Sequence, residues 1–243
     1  MANNHKFRPE LPNRGILFAG PSGIGKTSLA NHLSNCPIDF GLSNENEPVF
    51  VSGSVSDLIP STKNIPHAEM LSRPFEDSYR EDVQVLNLRH RLFKEYIKKN
   101  MPYVSDRSFL DVAGYFMYKY SAKICESEVR DFLECCKQYT LIDCSHLILL
   151  ELTPNNMEDW SMEDNSKRIL NRYFQVNIST LMTEVLLHWG IIYDSSDSKN
   201  ILNYSTGMIS SPYREAKTRV LLIKELDYET RCSIIKNFLN DEI

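Results

Sequence analysis

Short apolar runs alternate with longer amphipathic stretches along most of the chain. The apolar runs have the length of buried strands and lie at 16–19, 49–51, 103–105, 145–153 and 191–193. In the longer stretches apolar residues recur every three or four positions, which predicts helices at 26–36, 80–99, 109–117 and 125–139 and one that ends near 189. Strands that alternate with helices predict an α/β fold, with a central parallel sheet and helices on both faces.

The same pattern predicts how the chain is organised. We expect a single domain over residues 1–243, with its core at about 15–195. The acidic, polar stretch at about 155–168 follows the strongest strand candidate and predicts a flexible lid. Residues 199–243 predict a C-terminal helical segment, in two pieces around Leu226 and Asp227.

Composition limits the classes of partner. Of the 243 residues, 42% are hydrophobic and 24% are charged, which is ordinary for a globular protein with a sizeable core. The formal net charge of -5 provides no general attraction to nucleic acid or to an anionic membrane, so a polyanion would need a local basic face. No apolar run has the length that spans a bilayer, and residues 1–14 lack the apolar centre of a signal peptide. We therefore expect a soluble, cytoplasmic protein with no membrane partner.

The cysteines give no indication of a metal knuckle. There are six, at Cys36, Cys125, Cys135, Cys136, Cys144 and Cys232. They form no C-x-x-C pair, and no histidines cluster at the spacing of a zinc site. Reduced thiols are the expected state.

One glycine-rich stretch, residues 20–27, matches G-x-x-x-x-G-K-[ST] and lies between a predicted strand and a predicted helix. In this phosphate loop, backbone N–H groups can curl around a polyphosphate because glycine has no Cβ, and the helix that follows adds its positive end. We expect ATP to bind here, Lys26 to reach its β- and γ-phosphates, and Thr27 to hold Mg²⁺. The predicted nucleotide-binding residues are Gly20, Pro21, Ser22, Gly23, Ile24, Gly25, Lys26, Thr27 and Ser28.

An acid and an arginine follow the third predicted strand. Asp106 and Arg107 would lie at the carboxyl end of that strand, which is where ligands bind in parallel α/β sheets. Asp106 can orient Mg²⁺-bound water or accept the proton of an acceptor hydroxyl, and Arg107 can bind phosphate oxygens bidentately. Both are therefore predicted to be catalytic, with Asp106 also a metal residue. A surface ion pair is the alternative.

Small polar residues follow the second predicted strand, at 52–57. Their position at a strand's carboxyl end predicts an acceptor pocket, and a surface loop is the alternative.

The helix at 80–99 carries the densest group of cations in the chain. This group indicates either a solvated face or contact with a polyanion. Its members are Arg89, Arg91, Lys94, Lys98 and Lys99.

Clustered cations follow the predicted lid. Arg168 and Arg172 are four residues apart and therefore share one helix face. A lid that closes over a triphosphate would exclude water and bring this charge to the transferring group, so both arginines are predicted to be catalytic. The alternative is a pair of cations that solvate the start of a helix.

With these motifs the chain resembles the P-loop kinases of the thymidylate kinase and deoxynucleoside kinase group. Asp106, Arg107 and Tyr115 are similar to the Asp-Arg strand end and the following tyrosine of thymidylate kinases. Asp106-Arg107-Ser108 is similar to the acid-Arg-Ser motif of deoxynucleoside kinases. The chain looks closest to a viral and bacterial branch of small AAA-type ATPases related to nicotinamide riboside kinases. The resemblance covers about 15–193 and implies the P-loop kinase fold, ATP and Mg²⁺ as cofactors, and a nucleotide or nucleoside acceptor.

One subgroup of this family consists of phage enzymes that phosphorylate 5-hydroxymethyluracil within DNA. The long connection at 59–74 and the basic helix leave room for DNA as the acceptor. The chain departs from the family after the second strand, where the usual acceptor-side carboxylate is replaced by Ser52 and Ser54, and Asp57 follows. Asp106 and Asp57 both remain candidates for the general base, with Asp106 preferred.

The resulting hypothesis is a kinase that transfers the ATP γ-phosphate to a thymidine-like nucleotide, either free or as 5-hydroxymethyluracil in phage DNA. The alternatives are a P-loop ATPase that couples hydrolysis to a partner, a nicotinamide riboside kinase-like enzyme, and a nucleotide sensor without catalysis. An ATPase usually keeps an apolar strand that ends in an acid, whereas the nearest candidate here is predicted to end at Leu152-Thr153-Pro154. Intact Lys26 and Thr27 argue against the sensor. The oligomeric state is not predicted.

Overall fold

The computed structural model describes residues 15–42, 47–66, 69, 72–158, 171–190, 201–205 and 217–240. The strands are β1 (Gly15–Ala19), β2 (Val49–Phe50), β3 (Tyr103–Ser105), β4 (Cys144–Leu150), β5 (Ile201–Ser205) and β6 (Lys217–Ile223). The α-helices are α1 (Lys26–Asn35), α2 (Val55–Leu58), α3 (Phe75–Lys98), α4 (Phe109–Tyr120), α5 (Glu126–Asp143), α6 (Arg172–His188) and α7 (Tyr228–Asn240). Short 3-10 helices at Pro37–Phe40 and Pro60–Thr62 follow α1 and α2.

The strands form one sheet in the order β2-β3-β1-β4-β6-β5. Neighbours from β2 to β6 are parallel, and β5 runs antiparallel to β6 at one edge. Strand β1 pairs with β3 on one side and with β4 on the other, so the chain order reverses at this strand. In open α/β sheets a ligand crevice lies beyond the carboxyl end of such a strand. The phosphate loop follows β1 and therefore occupies this position.

The two faces of the sheet are covered by different helices. Leu17 and Leu147 belong to a core cluster that includes buried residues of α3, α4, α5 and α6. Phe18 and Ile148, the next residues along the same strands, belong to a second cluster with α1 and α7. Because successive strand residues point to opposite faces and both faces are covered, β1 and residues 147–150 of β4 are continuous apolar runs. The predicted α/β class, with a parallel sheet and helices on both faces, is confirmed.

The C-terminal segment differs from the prediction of two helical pieces. Residues 217–223 form β6, which pairs with β4 in register from His146↔Arg219 to Leu150↔Ile223. The four apolar residues at 220–223 are all buried. So short a run does not distinguish a buried strand from a buried helix by its periodicity, and pairing with β4 decides its structure. In the described part of this segment, helical structure begins at Tyr228.

Strand β4 also ends earlier than predicted. Leu150 is its last residue, and Glu151 follows directly, so an acid does stand at the end of this apolar strand. The predicted strand at 191–193 and residues 159–168 of the predicted lid lie outside the described residues. Among the helices that the structure describes, none is long and apolar enough to cross a membrane.

Candidate active site

The phosphate loop has the backbone that its glycines predict. Gly20, Gly23 and Gly25 have positive φ angles of 141°, 82° and 98°. A Cβ on Gly20 would lie 2.5 Å from the carbonyl oxygen of Leu150, so no other residue fits there without a shift of the backbone. Gly25 is the left-handed N-cap of α1, and the helix therefore begins at Lys26 with its free N–H groups at the loop.

Lys26 is buried within the loop. Its Nζ donates to the carbonyl oxygen of Gly20 and, at 2.9 Å, to that of Pro21. Asp111 Oδ1 lies 3.5 Å from the same nitrogen. Burial lowers the pKa of Lys26 to about 8, although the negative charge of Asp111 opposes this shift. The ammonium group has lost its water and is directed at the loop, where nucleotide phosphates would supply the charge that stabilises it.

The two predicted magnesium residues are in direct contact. The Thr27 hydroxyl donates to Asp106 Oδ2 at 2.6 Å. Asp106 follows β3 and is 4% exposed, and its Oδ1 has no hydrogen-bond partner among the described residues. A buried carboxylate oxygen without a donor suits a cation, because Mg²⁺ binds oxygen ligands and keeps several of its waters. Thr27 and Asp106 can therefore hold Mg²⁺ together.

Arg107 lies at the rim of the same site. Its Nη1 donates to the backbone carbonyl oxygen of Asp106 at 3.0 Å and lies 3.9 Å from Asp106 Oδ2. The side chain is 30% exposed, so it is in contact with both the buried carboxylate and solvent. A guanidinium in this position can turn toward a phosphate that enters the crevice.

The other candidate base, Asp57, is exposed and lies on α2. Ser52 and Ser54 both donate hydroxyl hydrogen bonds to its Oδ2, the second at 2.6 Å. These two hydrogen bonds lower the pKa of Asp57, and the charges of Lys63 and Arg107 lower it further. The residues after β2 therefore present an ionised carboxylate close enough to Arg107 to sense its charge.

Asp111 has two functions at the start of α4. With Ser108 it forms a capping box, in which the Ser108 N–H donates to Asp111 Oδ2 at 2.8 Å. The other carboxylate oxygen lies beside Lys26 Nζ. The S-x-x-D spacing is visible in the sequence, but nothing local indicates that the cap also positions a charge beside the lysine.

Two further residues support the phosphate loop and were not predicted. Arg231 on α7 is 4% exposed and donates from Nη1 to the Ile24 carbonyl oxygen at 2.6 Å. Gln175 on α6 is fully buried, and its Oε1 accepts the Ser22 N–H at 2.9 Å. The Ser22 N–H, predicted to face phosphate, is thus bound by Gln175. These contacts hold the loop from two helices that come much later in the chain.

Arg89 does not belong to a solvated basic face. It is 2% exposed, and its guanidinium donates to the carbonyl oxygens of Gly53 and Ser108, both at 2.6 Å. Burial lowers its pKa to about 10. Arg89 therefore ties the loop after β2 to the loop after β3, and the prediction of a five-cation face is wrong at this residue. The four exposed cations of the group are Arg91, Lys94, Lys98 and Lys99.

The remaining predicted residues lie near the loop or outside the described residues. Arg172 is exposed and begins α6, three positions before Gln175, so the two are neighbours on the helix. The Tyr115 hydroxyl interacts with the backbone of Ser22, and burial raises its pKa. The tyrosine of the predicted motif thus contacts the phosphate loop. Arg168 lies outside the described residues.

Comparison with protein-family models finds no match, and comparison with curated proteins finds none either. Among solved structures the chain is similar to the NadR protein in complex with NR, with 9% sequence identity and a TM-score of 0.49; the match covers 95% of this chain and 52% of that one. The chain therefore spans about half the length of the NadR chain. It is also similar to thymidylate kinase from Ehrlichia chaffeensis, with 16% identity, a TM-score of 0.43, and coverage of 77% and 90%. Similarity at this level establishes neither an activity nor a substrate.

Proposed function

We propose that this protein is a kinase that transfers the γ-phosphate of ATP to a hydroxyl group of a nucleotide or nucleoside. The observation that carries the proposal is the contact between Thr27 and Asp106 at 2.6 Å. It joins the phosphate loop to the end of the neighbouring strand, and Lys26 and Arg107 are the chain neighbours of the two residues in contact. Phosphoryl transfer depends mainly on such positioning of phosphate, cation and charge.

On the donor side, Lys26 and the loop amides other than that of Ser22 would bind the β- and γ-phosphates, and Thr27 and Asp106 would hold Mg²⁺. The bound cation would neutralise charge on the phosphate oxygens. Three arginines stabilise the negative charge of the transferring group: Arg107, Arg168 and Arg172. The support for Arg172 is its position on α6 next to Gln175, which binds the loop.

On the acceptor side, a hydroxyl oxygen attacks the γ-phosphorus. The bond from this phosphorus to the β–γ bridging oxygen breaks, ADP leaves, and the hydroxyl proton passes to a carboxylate. We assign the proton to Asp57, because Asp106 would serve the cation. Asp57 is exposed, and its lowered pKa keeps it ionised. This assignment reverses the order of preference expected from the sequence.

For the acceptor we propose a thymidine-like nucleotide, on the resemblance carried by Asp106, Arg107 and Tyr115. It is either a free nucleotide or 5-hydroxymethyluracil in phage DNA. The burial of Arg89 removes one of the five cations that favoured DNA, and Lys98 is paired with Glu95 at 3.0 Å. A free nucleotide is therefore the acceptor that we favour.

The ATPase alternative has one observation in its favour, the acid at the end of β4. Only one oxygen of the Glu151 carboxylate is hydrogen-bonded: Oε1 accepts from the Thr183 hydroxyl at 3.1 Å. Its Oε2 has no hydrogen-bond partner among the described residues, but it lies 3.6 Å from Lys224 Nζ, so a cation is already beside it. The carboxylate that contacts Thr27 is that of Asp106. The kinase therefore remains the better-supported function.

Transfer of labelled γ-phosphate tests the proposal. The acceptor panel consists of nucleosides, deoxynucleoside monophosphates, nicotinamide riboside, and DNA with or without 5-hydroxymethyluracil. We expect label in a thymidine-like nucleotide, little ATP turnover without an acceptor, and no transfer by Lys26→Ala. Label that appears only in modified DNA selects the polymer as acceptor. If ATP is hydrolysed at a rate that no acceptor changes, the proposed kinase activity is contradicted.

A further inference from the structure

A second group of reactive side chains lies at the opposite end of α1 from the phosphate loop. His32, Cys36 and Asp39 each offer one potential ligand atom, and these atoms all lie within 4.8 Å of one another. His32 Nε2 is 2.9 Å from Asp39 Oδ2. No other group of three histidine, cysteine or acidic residues in the described part of the chain meets this condition.

Local structure explains why these three residues meet. Cys36 is the C-cap of α1 and follows His32 by four positions, so both lie on one face of the helix. Pro37 then begins a 3-10 helix, in which the Asp39 N–H donates to the Cys36 carbonyl oxygen at 3.0 Å. This tight turn brings Asp39 back beside His32. The arrangement is therefore formed by eight consecutive residues.

The imidazole of His32 is held in a fixed orientation. Its Nδ1 lies 2.9 Å from the Tyr228 hydroxyl, and the two rings are stacked at 12°. The Phe40 ring contacts it edge-on, with centroids 5.1 Å apart. Metal-binding histidines usually have their second ring nitrogen held by such a hydrogen bond, which directs the first nitrogen at the metal. Here the Tyr228 hydroxyl holds Nδ1, and Nε2 faces Asp39.

We propose that His32, Cys36 and Asp39 bind a divalent transition-metal ion, and that Zn²⁺ is the ion that fits best. The combination of imidazole nitrogen, thiolate sulfur and carboxylate oxygen is typical of zinc, whereas a thiolate disfavours Mg²⁺ and Ca²⁺. Zinc takes these ligands at about 2.0–2.3 Å, which places them roughly 3.5 Å apart in a tetrahedron. The ion replaces the proton that His32 shares with Asp39.

The present geometry requires little change to reach this state. Cys36 is exposed and the Asp39 side chain is 59% exposed, so both can rotate by the ångström or so that separates them from a tetrahedral arrangement. The fourth position faces solvent and takes a water. Cys232 lies on the other side of the ring, 3.7 Å from Nδ1, and is therefore not a ligand. The ion joins the end of α1 to the turn that follows it.

Titration of the reduced, metal-free full chain with Co²⁺ tests the site. Co²⁺ bound to a thiolate gives a charge-transfer absorption band and visible d–d bands, and we expect one such ion per chain. Zn²⁺ should displace it, abolish both bands and raise the melting temperature. Cys36→Ser should remove the thiolate band, and Asp39→Asn should weaken Co²⁺ binding at least about tenfold.

Matched variants separate this site from other metal-binding groups. Cys125→Ser and Cys232→Ser replace thiols outside the three ligands and should keep the band. Asp106→Asn, at the proposed magnesium site, should also keep it. The melting temperature of each variant is compared with that of the wild type, both without metal. Equal temperatures show that Cys36→Ser has not merely unfolded the turn. Absence of a thiolate band in the wild type, or its survival in Cys36→Ser, overturns the proposal.

Discussion

The proposed donor and acceptor sides of the crevice are built differently. The donor side, formed by the phosphate loop and Asp106, is mostly buried and is supported by helices from distant parts of the chain. Lys26 and Asp106 are each 4% exposed. The acceptor side, formed by 52–57 and Arg107, is more exposed, and the serines that hold Asp57 lie within five residues of it. Changes on the acceptor side should therefore affect the choice of substrate more than folding, whereas the donor side is part of the core.

Replacement of Lys26 separates the contribution of this buried charge to function from its contribution to stability. Lys26→Met keeps the apolar stem but leaves the buried Asp111 carboxylate and two loop carbonyl oxygens without their donor, so we expect the melting temperature to fall. Phosphoryl transfer should fall by about 10³-fold, because the phosphates lose their buried cation. Label transfer and thermal unfolding measure the two effects. Lys94→Met, on the exposed face of α3, is the control, and substantial transfer by Lys26→Met would contradict the site.

A pair of carboxylate substitutions separates the two sides directly. Asp106→Asn should raise the Mg²⁺ concentration needed for half-maximal activity and lower kcat by about 10²-fold. Asp57→Asn should lower kcat by about 10²-fold while the Kd for ATP and the Mg²⁺ requirement stay constant, because it removes only the proton acceptor. Steady-state kinetics and ATP titrations distinguish them. A changed Mg²⁺ requirement in Asp57→Asn would place Asp57 on the donor side.

Arg231 offers a test of the distant support. Arg231→Met leaves the Ile24 carbonyl oxygen without its donor, so we expect about tenfold weaker ATP binding and a loss of about 1–3 kcal/mol in the free energy of unfolding. Arg219→Met is a matched control, because Arg219 is also buried and donates to the Phe238 carbonyl oxygen of the same helix at 2.8 Å. It should reduce stability without changing the Kd for ATP. An equal change of Kd in both variants would refute specific support of the loop.

The pKa of Lys26 predicts how ATP binding depends on pH. In the free protein Lys26 loses its proton as pH rises through about 8. Bound phosphates raise this pKa, so above pH 8 the complex must take up a proton when it forms. As far as Lys26 determines it, the affinity for ATP should be constant below pH 8 and fall by up to about tenfold per pH unit above pH 8. Lys26→Met should abolish this slope, and a wild-type slope of the opposite sign would contradict the assignment.

The smallest expected effect concerns the acceptor side. Ser52→Ala removes one of the two hydroxyls that lower the pKa of Asp57, so this pKa should rise. The acid limb of the pH–rate profile should move upward with it. Ser56→Ala is the control, because the Ser56 hydroxyl contacts that of Ser54 and not the carboxylate. NMR titration of the Asp57 carboxyl carbon decides whether the Ser52 hydrogen bond has this effect.

The contact between the proposed donor residues could be predicted because it depends on local sequence. The glycine spacing determines the loop backbone, and Asp106 directly follows a short apolar strand. Thr27 and Asp106 are 79 positions apart, yet they meet because both follow neighbouring parallel strands at the same edge of the sheet. The phosphate-loop motif and the α/β pattern are together sufficient to predict such a contact.

The supporting residues could not be predicted because their partners are set by tertiary packing. Arg231 lies 207 positions from Ile24, and Gln175 lies 153 positions from Ser22. Neither has a local signal, since a buried arginine and an exposed one look alike in sequence. Arg89 was misassigned for the same reason: it lies among exposed lysines, but its partners are two backbone carbonyls.

Strand β6 has a consequence for any shortened form of the protein. A chain that stopped before residue 217 would still carry every residue of the motifs that resemble those of P-loop kinases. It would also leave one edge of β4 unpaired along 146–150, the edge that β6 covers, although β4 would stay paired with β1 on its other side. An apolar strand with an open edge is a template for pairing with other molecules. Such a fragment should aggregate rather than work as a smaller enzyme, so the minimal folding unit extends well past the last recognisable motif.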